Sequence, residues 1–260
     1  MDRSVPDLHP AAIAASSSGT IGHTVVLFES VGSTNSAAAA MAGAGAAEGT
    51  VVAAAEQSAG RGRKGRSWYS SPTGSLVFSI ILRPRRSGET LTSLLSVSAA
   101  AAIGEIWDDI DIKWPNDLWS GGRKLGGVLA EARGDACIIG MGLDVNEESF
   151  PGPLEESAVS LRMLTGERLH RGRLLSRILE MFSSDYERWK AEGLAPFRET
   201  IERRLLWRGE EVALETGGST IRGRLDGITE GGQIVLVEGG ERRVFAAGDL
   251  AGPARGRRKE

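Results

Sequence analysis

The chain has a single cysteine, almost no net charge for its length, and no apolar run approaching a membrane span of roughly 18 residues. With Cys137 alone, no intramolecular disulfide and no cysteine-based metal cluster can form. Its setting, Ala136-Cys137-Ile138-Ile139, offers no cation to activate a thiol, so Cys137 reads as a small buried hydrophobe of a protein kept in a reducing cytoplasm. A net charge of −3 gives no whole-protein field to hold nucleic acid, so any polyanion must be met locally. Met1 to Gly19 lacks the apolar centre of a signal peptide and reads as a loose segment over residues 1–20.

What is present is globular. A composition of 41% hydrophobic and 25% charged residues over 260 positions supports one full-sized core and a small second one. Val25 to Phe28 reads as a strand, Glu29 to Asn35 as a turn and helix-cap cluster, and the alanine-rich run Ala37 to Ala47 as a helix. Thr50 to Ala55 and Ser75 to Leu82 are β-like, separated by a long polar connection. Leu91 to Trp107 has helical spacing, Ile110 to Trp114 reads as a buried strand, and Pro115 to Arg123 as a loop. Leu125 to Ala130 and Cys137 to Leu143 read as paired strands about a turn at Arg133-Gly134-Asp135, and His170 to Trp189 as an amphipathic helix. After Leu206 the pattern changes to four short alternating strands broken by paired glycines, a small β-barrel unit that must lean on the larger domain, followed by a basic tail over 253–260.

Three polar loops fall where strands end, the usual place for binding groups on an α/β scaffold. In Gly60-Arg61-Gly62-Arg63-Lys64-Gly65-Arg66-Ser67-Trp68, four cations are spaced by glycines that let backbone approach an anion, and Trp68 offers a flat face to a planar group. The same residues suit a disordered basic loop or an RGG-like nucleic-acid segment, and they lack Walker spacing. In Lys113-Trp114-Pro115-Asn116-Asp117-Leu118 and Arg123-Lys124-Leu125-Gly126-Gly127, a carboxylate and two lysines flank a turn and could hold a charged transition state with magnesium; Pro-Asn-Asp is equally a plain turn signal. In Gly140-Met141-Gly142-Leu143-Asp144-Val145-Asn146, glycines at a strand end precede groups able to bond a base or ribose, or mark close backbone packing alone.

Taken in order, Ser33-Thr34-Asn35, Gln57 with the 60–68 run, the 113–118 and 123–127 segments and Gly140 to Asn146 resemble the catalytic domain of biotin–protein ligases. Gly223 to Gly227 and Ala247 to Leu250 resemble that family's SH3-like C-terminal domain. The resemblance implies an α+β fold, with a mixed-sheet catalytic domain of class II aminoacyl-tRNA synthetase type over 21–206 and an SH3-like barrel over 207–252. It implies formation of biotinyl-5′-adenylate from biotin and ATP with magnesium, then transfer of biotin to a lysine of a biotin carboxyl carrier domain. By the same resemblance Ser33, Thr34, Asn35 and Gln57 orient biotin, while Arg61, Gly62 and Arg63 close over biotin and adenylate. Lys124 is the essential lysine, acting with Asp117 and Arg61. Lys113, Arg66, Trp68, Asn116, Asp117, Asp144 and Asn146 serve the nucleotide.

The family's asparagine after the GxG is Asp144 here, an anionic group less suited than an amide to a purine contact beside phosphates, with Asn146 as the substitute. Some members carry an N-terminal winged-helix domain and act as repressors; only about 20 unpatterned residues precede the first strand here, so the expectation is a ligase with no DNA and no membrane partner, and a homodimer is one assembly it allows. The alternatives are a lipoate–protein ligase or octanoyltransferase on the same scaffold, and a nucleic-acid-binding module built on the Gly-Arg loop.

Overall fold

A computed structural model describes residues 7–15 and 19–253. The rest of the expected N-terminal segment and the basic tail from residue 254 onward lie outside the described residues. The α+β class holds: a seven-stranded mixed sheet with helices, followed by a five-stranded antiparallel sheet.

The first sheet comprises β1 (Val25–Val31), β2 (Val51–Gln57), β3 (Ser75–Leu82), β4 (Asp111–Lys113), β5 (Asp117–Ser120), β6 (Arg123–Arg133) and β7 (Ala136–Asp144), in the order β1-β2-β3-β7-β6-β5-β4. Only β1 and β2 are parallel, because α2 (Thr34–Gly43) carries the chain back between them. The apolar runs of β2 and β3 are central and buried on both faces, which is why they read as continuous rather than alternating. Helices α3 (Leu91–Gly104) and α5 (Arg171–Glu192), with the short α4 (Leu161–Thr165) between them in sequence, pack together and bury Leu94, Leu95, Ile178, Phe182 and Trp189.

Several boundaries move. β1 runs on through Glu29-Ser30-Val31, since Ser30 and Val31 pair with Glu56 and Gln57, so only Gly32 and Ser33 separate strand from helix. The stretch read as a loop from Pro115 to Arg123 contains β5, which forms a hairpin with β6 about Gly121-Gly122; both glycines have positive φ, 55° and 75°, as such a two-residue turn demands. Residues 7–15, read as loose, are packed: α1 (Pro10–Ala15) lies on α5 and β1, and Leu8 and Ile13 are buried. What anchors them is distant in sequence. Arg171, with no exposed surface, binds Asp7 through its backbone N–H, Nε and Nη2 (3.1, 3.1 and 2.8 Å), and its Nη1 donates to the carbonyls of Pro72 and Ser75.

The second sheet is built from β8 (Glu211–Thr216), β9 (Ser219–Ile228), β10 (Ile234–Glu238), β11 (Glu241–Phe245) and β12 (Asp249–Ala251), in the order β11-β10-β9-β8-β12. β12 escaped the sequence pattern because three residues are too few to alternate visibly. Leu214, Leu225, Ile234, Leu236 and Leu250 belong to the same continuous apolar core as the first sheet, so the small unit does lean on the large one. Trp114 Nε1 donates to the Gly232 carbonyl at 2.9 Å, and Trp207 meets Trp119 edge-on, tying the two sheets beside the 113–118 turn.

Candidate functional site

Between the two sheets lies a cavity of about 370 Å³, the size of a small-molecule site. Its walls take in Ser33, Thr34, Asn35, Gln57, Arg61, Gly62, Arg63, Arg66, Trp68, Lys113, Asn116, Asp117 and Lys124, all singled out in the sequence. Three distant loops thus converge because β1, β2, β5, β6 and β7 bring their ends to one side of the sheet.

One end of the cavity is a hydrogen-bonded chain. The Thr34 backbone N–H and Oγ1 both donate to Gln57 Oε1, at 2.7 and 3.1 Å. Ser79 Oγ donates to Asn35 Oδ1 at 2.6 Å and sits 2.8 Å from Thr34 Oγ1, while Asn35 Nδ2 donates to Glu131 Oε2 at 2.9 Å. Ser33 starts α2 without using its hydroxyl as a helix cap. Such an end presents amide and hydroxyl groups in fixed directions, suited to a neutral polar ligand group.

The other end is cationic. Lys124 Nζ lies 2.9 Å from Asp117 Oδ1 and 5.5 Å from the centre of the Trp68 ring. Lys113 Nζ lies over Trp119 and Trp207, 4.7 and 5.3 Å from their ring centres. Burial pulls the Lys113 ammonium below its ordinary value, with Asp117 acting in the opposite sense. Asn116 is pinned by its Nδ2 to the Val128 carbonyl at 2.6 Å, and its Oδ1 accepts from Arg63 Nη1 at 2.9 Å. Arg61 forks onto Glu131 at 3.2 and 2.8 Å, the bidentate geometry that Lys cannot reproduce.

The basic loop is folded back on itself rather than disordered. Arg61 and Ser67 form an isolated antiparallel bridge, the Gly62 N–H donates to the Arg66 carbonyl at 2.7 Å, and a 3₁₀ turn over Arg63–Gly65 makes the tip. Gly140 and Gly142 have the packing role that the GxG pattern left open: a Cβ at Gly140 would stand 2.0 Å from Asn35 Oδ1, and one at Gly142 would stand 2.4 Å from the Trp68 indole. Trp68 Nε1 is buried with no hydrogen-bond partner among the described residues.

Two predicted nucleotide contacts lie outside the cavity wall. Asp144 is only 4% exposed, and its Oδ1 has no partner among the described residues. Burial, with the Glu147 charge adding to it and Lys124 opposing, pushes its carboxyl well above the ordinary range. Asn146 is occupied: its amide donates to the Leu169 carbonyl at 2.9 Å and accepts the Leu169 N–H at 2.8 Å. Three other side chains at the site were not anticipated. Ser79 is a hydroxyl inside the apolar run of β3, Glu131 lies near the far end of β6, and Asp249, on β12, lines the cavity with Glu215 and Leu250. Only the interruption of β3 by Ser79 was visible locally.

Residues 27–146 match the model of the Biotin/lipoate A/B protein ligase family. The Bifunctional ligase/repressor BirA of Bacillus spizizenii is 31% identical over 239 residues, covering 87% of this chain and 74% of that protein. The chain belongs to the biotin–protein ligases. The Biotin--[acetyl-CoA-carboxylase] ligase of Mycobacterium tuberculosis, another member, is 31% identical over 229 residues, covering 84% of this chain and 85% of that protein. Among solved biotin–protein ligases, the Aquifex aeolicus enzyme in complex with biotin and ATP matches with a TM-score of 0.81 at 30% identity, covering 88% of this chain and 97% of that one. The family match spans the residues from β1 to the end of β7, which contribute the thirteen predicted wall residues.

Proposed function

We propose that the cavity carries out the ATP-dependent joining of biotin to a lysine of a biotin carboxyl carrier domain, in two steps at one place. The observation that carries this reading is the division of the cavity into a neutral hydrogen-bonding end at Thr34, Asn35 and Gln57 and a cationic end at Lys124, Lys113 and Arg63. A ligand with a polar uncharged head and a carboxylate tail fits that polarity when the tail reaches the lysine.

In the first step a biotin carboxylate oxygen attacks the α-phosphorus of ATP and pyrophosphate leaves. Both reactants are anions, so the approach needs cations, and Lys124 stands where carboxylate and α-phosphate meet. Lys113, Arg63 and Arg66 supply further positive charge for the phosphates, and Asn116 and Asp117 lie beside Lys124. Trp68 offers its face to the purine. Magnesium would arrive with the nucleotide, and Asp117, a carboxylate on the cavity wall, is the residue that would help to hold it. In the second step the carrier lysine amine attacks the acyl carbonyl of the mixed anhydride, the acyl–phosphate bond breaks and AMP leaves with its electron pair. Arg61, Gly62 and Arg63 close over the intermediate and keep water from it.

Biotin-dependent exchange of labelled pyrophosphate into ATP, with lipoate as competitor, tests the reading. Exchange with biotin that lipoate does not displace supports it; exchange with lipoate alone would transfer the protein to its sister activity.

A further inference from the structure

The loop over 60–68 is tied down on two sides. On one, Arg63 bonds Asn116 in the turn between β4 and β5. On the other, Lys64 Nζ lies 2.7 Å from Asp249 Oδ2 and Arg66 Nη2 lies 3.7 Å from Asp249 Oδ1, so one carboxylate of the C-terminal sheet faces two loop cations. We propose that Asp249 is a positioning residue: it is the catch through which the C-terminal sheet holds this loop shut over the acyl-adenylate. The inference rests on the two-step reaction given above.

The backbone around Asp249 is fixed. Asp249 begins β12, paired with Glu215 of β8, and the next residue, Leu250, is buried in the shared core. Gly248 has no room for a side chain, since a Cβ there would stand 2.6 Å from the Leu214 side chain. The loop end is shaped to meet it. Lys64 takes a left-handed φ of 55° and Gly65 follows at 73°, which turns the Lys64 side chain out of the hairpin toward β12. The Lys64 hydrogen bond holds the Asp249 carboxyl below its ordinary value, so it stays ionised at neutral pH.

The contact is made to open. The Lys64 side chain is 56% exposed and that of Asp249 35%, and ion pairs in water are individually weak. Biotin and ATP must enter, the adenylate must stay, and the carrier lysine must then be admitted, which a loose two-point catch permits and a rigid wall does not.

The experiment follows release of preformed biotinyl-adenylate from the full-length protein, after free ATP and biotin are removed, at two salt concentrations. Asp249→Asn should release it about three- to tenfold faster near 0.1 M salt, the scale of two exposed ion pairs lost together. Wild-type release should quicken with salt and the variant's should quicken less, while Asp249→Glu should restore much of the wild-type behaviour. A parallel readout is trypsin cleavage within 60–68 of the ligand-free protein, expected faster in Asp249→Asn. Normal exchange with unchanged release, salt response and cleavage overturns the catch. Absence of biotin-dependent exchange in the wild type overturns the reaction instead, and the cleavage comparison then still reads the contact by itself.

Discussion

Lys124 Nζ and Asp117 Oδ1 stand 2.9 Å apart on the two arms of one hairpin, whose turn is Gly121-Gly122. The β5–β6 register shifts between Leu118 and Trp119, and Lys124 also bridges Ala158, so the ammonium is held by strand geometry rather than by a free loop. Lys124→Ala should lower pyrophosphate exchange by about 10²- to 10³-fold, the usual scale for losing one fixed charge-stabilising group. Asp117→Asn should cost less, because it loosens the lysine without removing its charge. Exchange within twofold of wild type in Lys124→Ala would remove that residue from the chemistry.

Gly142→Ala should act on Trp68. The added methyl would stand 2.4 Å from the indole, so the ring has to move, at about 1–3 kcal/mol for overpacking of this kind. The expected outcome is altered tryptophan fluorescence and several-fold weaker ATP binding with biotin affinity little changed. Equal loss of both ligands would show a general collapse of the cavity.

Asp144 yields a pH dependence with a definite sign. Its folded-state pKa is raised, so the folded protein holds a proton there that the unfolded chain gives up, and stability is lost as pH climbs from the ordinary carboxylate range toward the raised value. Asp144→Asn abolishes that loss. Thermal melting should show little difference between variant and wild type at pH 4 and a growing advantage for the variant toward pH 7, and ATP should bind at least as tightly. A difference independent of pH would mean that the carboxyl titrates in the folded protein as it does in the unfolded chain.

Asp7 behaves oppositely. Burial acts to raise its carboxyl, but the hydrogen bonds and charge of Arg171 outweigh that and leave it lowered. Its stabilisation is therefore present above the ordinary carboxylate range and fades as pH falls through the lowered value. Asp7→Asn should melt earlier than wild type at pH 6 and converge with it near pH 3. Asp7→Ala, which leaves the Arg171 guanidinium buried and unpaired, should cost about 3 kcal/mol at neutral pH. An Asp7→Ala melt indistinguishable from wild type would show that residues 7–15 are not anchored this way.

The legible part of the site was the part whose residues are neighbours in sequence. Ser33-Thr34-Asn35, the 60–68 run and Lys113 to Lys124 each gather several polar groups within a few positions, and all reach the cavity. Glu131 stands alone in its strand and Asp249 was matched only as part of the C-terminal domain, so neither read as a site residue; their importance comes from partners 70 and 185 positions away, Arg61 and Lys64. Asn146 misled for the reverse reason: next to a GxG it looked free for a nucleotide, but the Leu169 backbone had already taken both ends of its amide. The fold shows the same division. Long apolar periods such as β3, α3 and α5 were read from composition, whereas β5, β12 and the packing of residues 7–15 depend on pairing or burial against segments far along the chain.

Gly140 and Gly142 define part of the cavity by what they leave out. A surface made of backbone has no χ angles, so nothing there has to be immobilised when a ligand settles on it, whereas each long side chain ordered at a binding surface costs about 0.5–1.5 kcal/mol. The floor beneath Asn35 and Trp68 is therefore equally ordered empty or full, and the entropy lost on binding falls on the arginine-bearing loop above it.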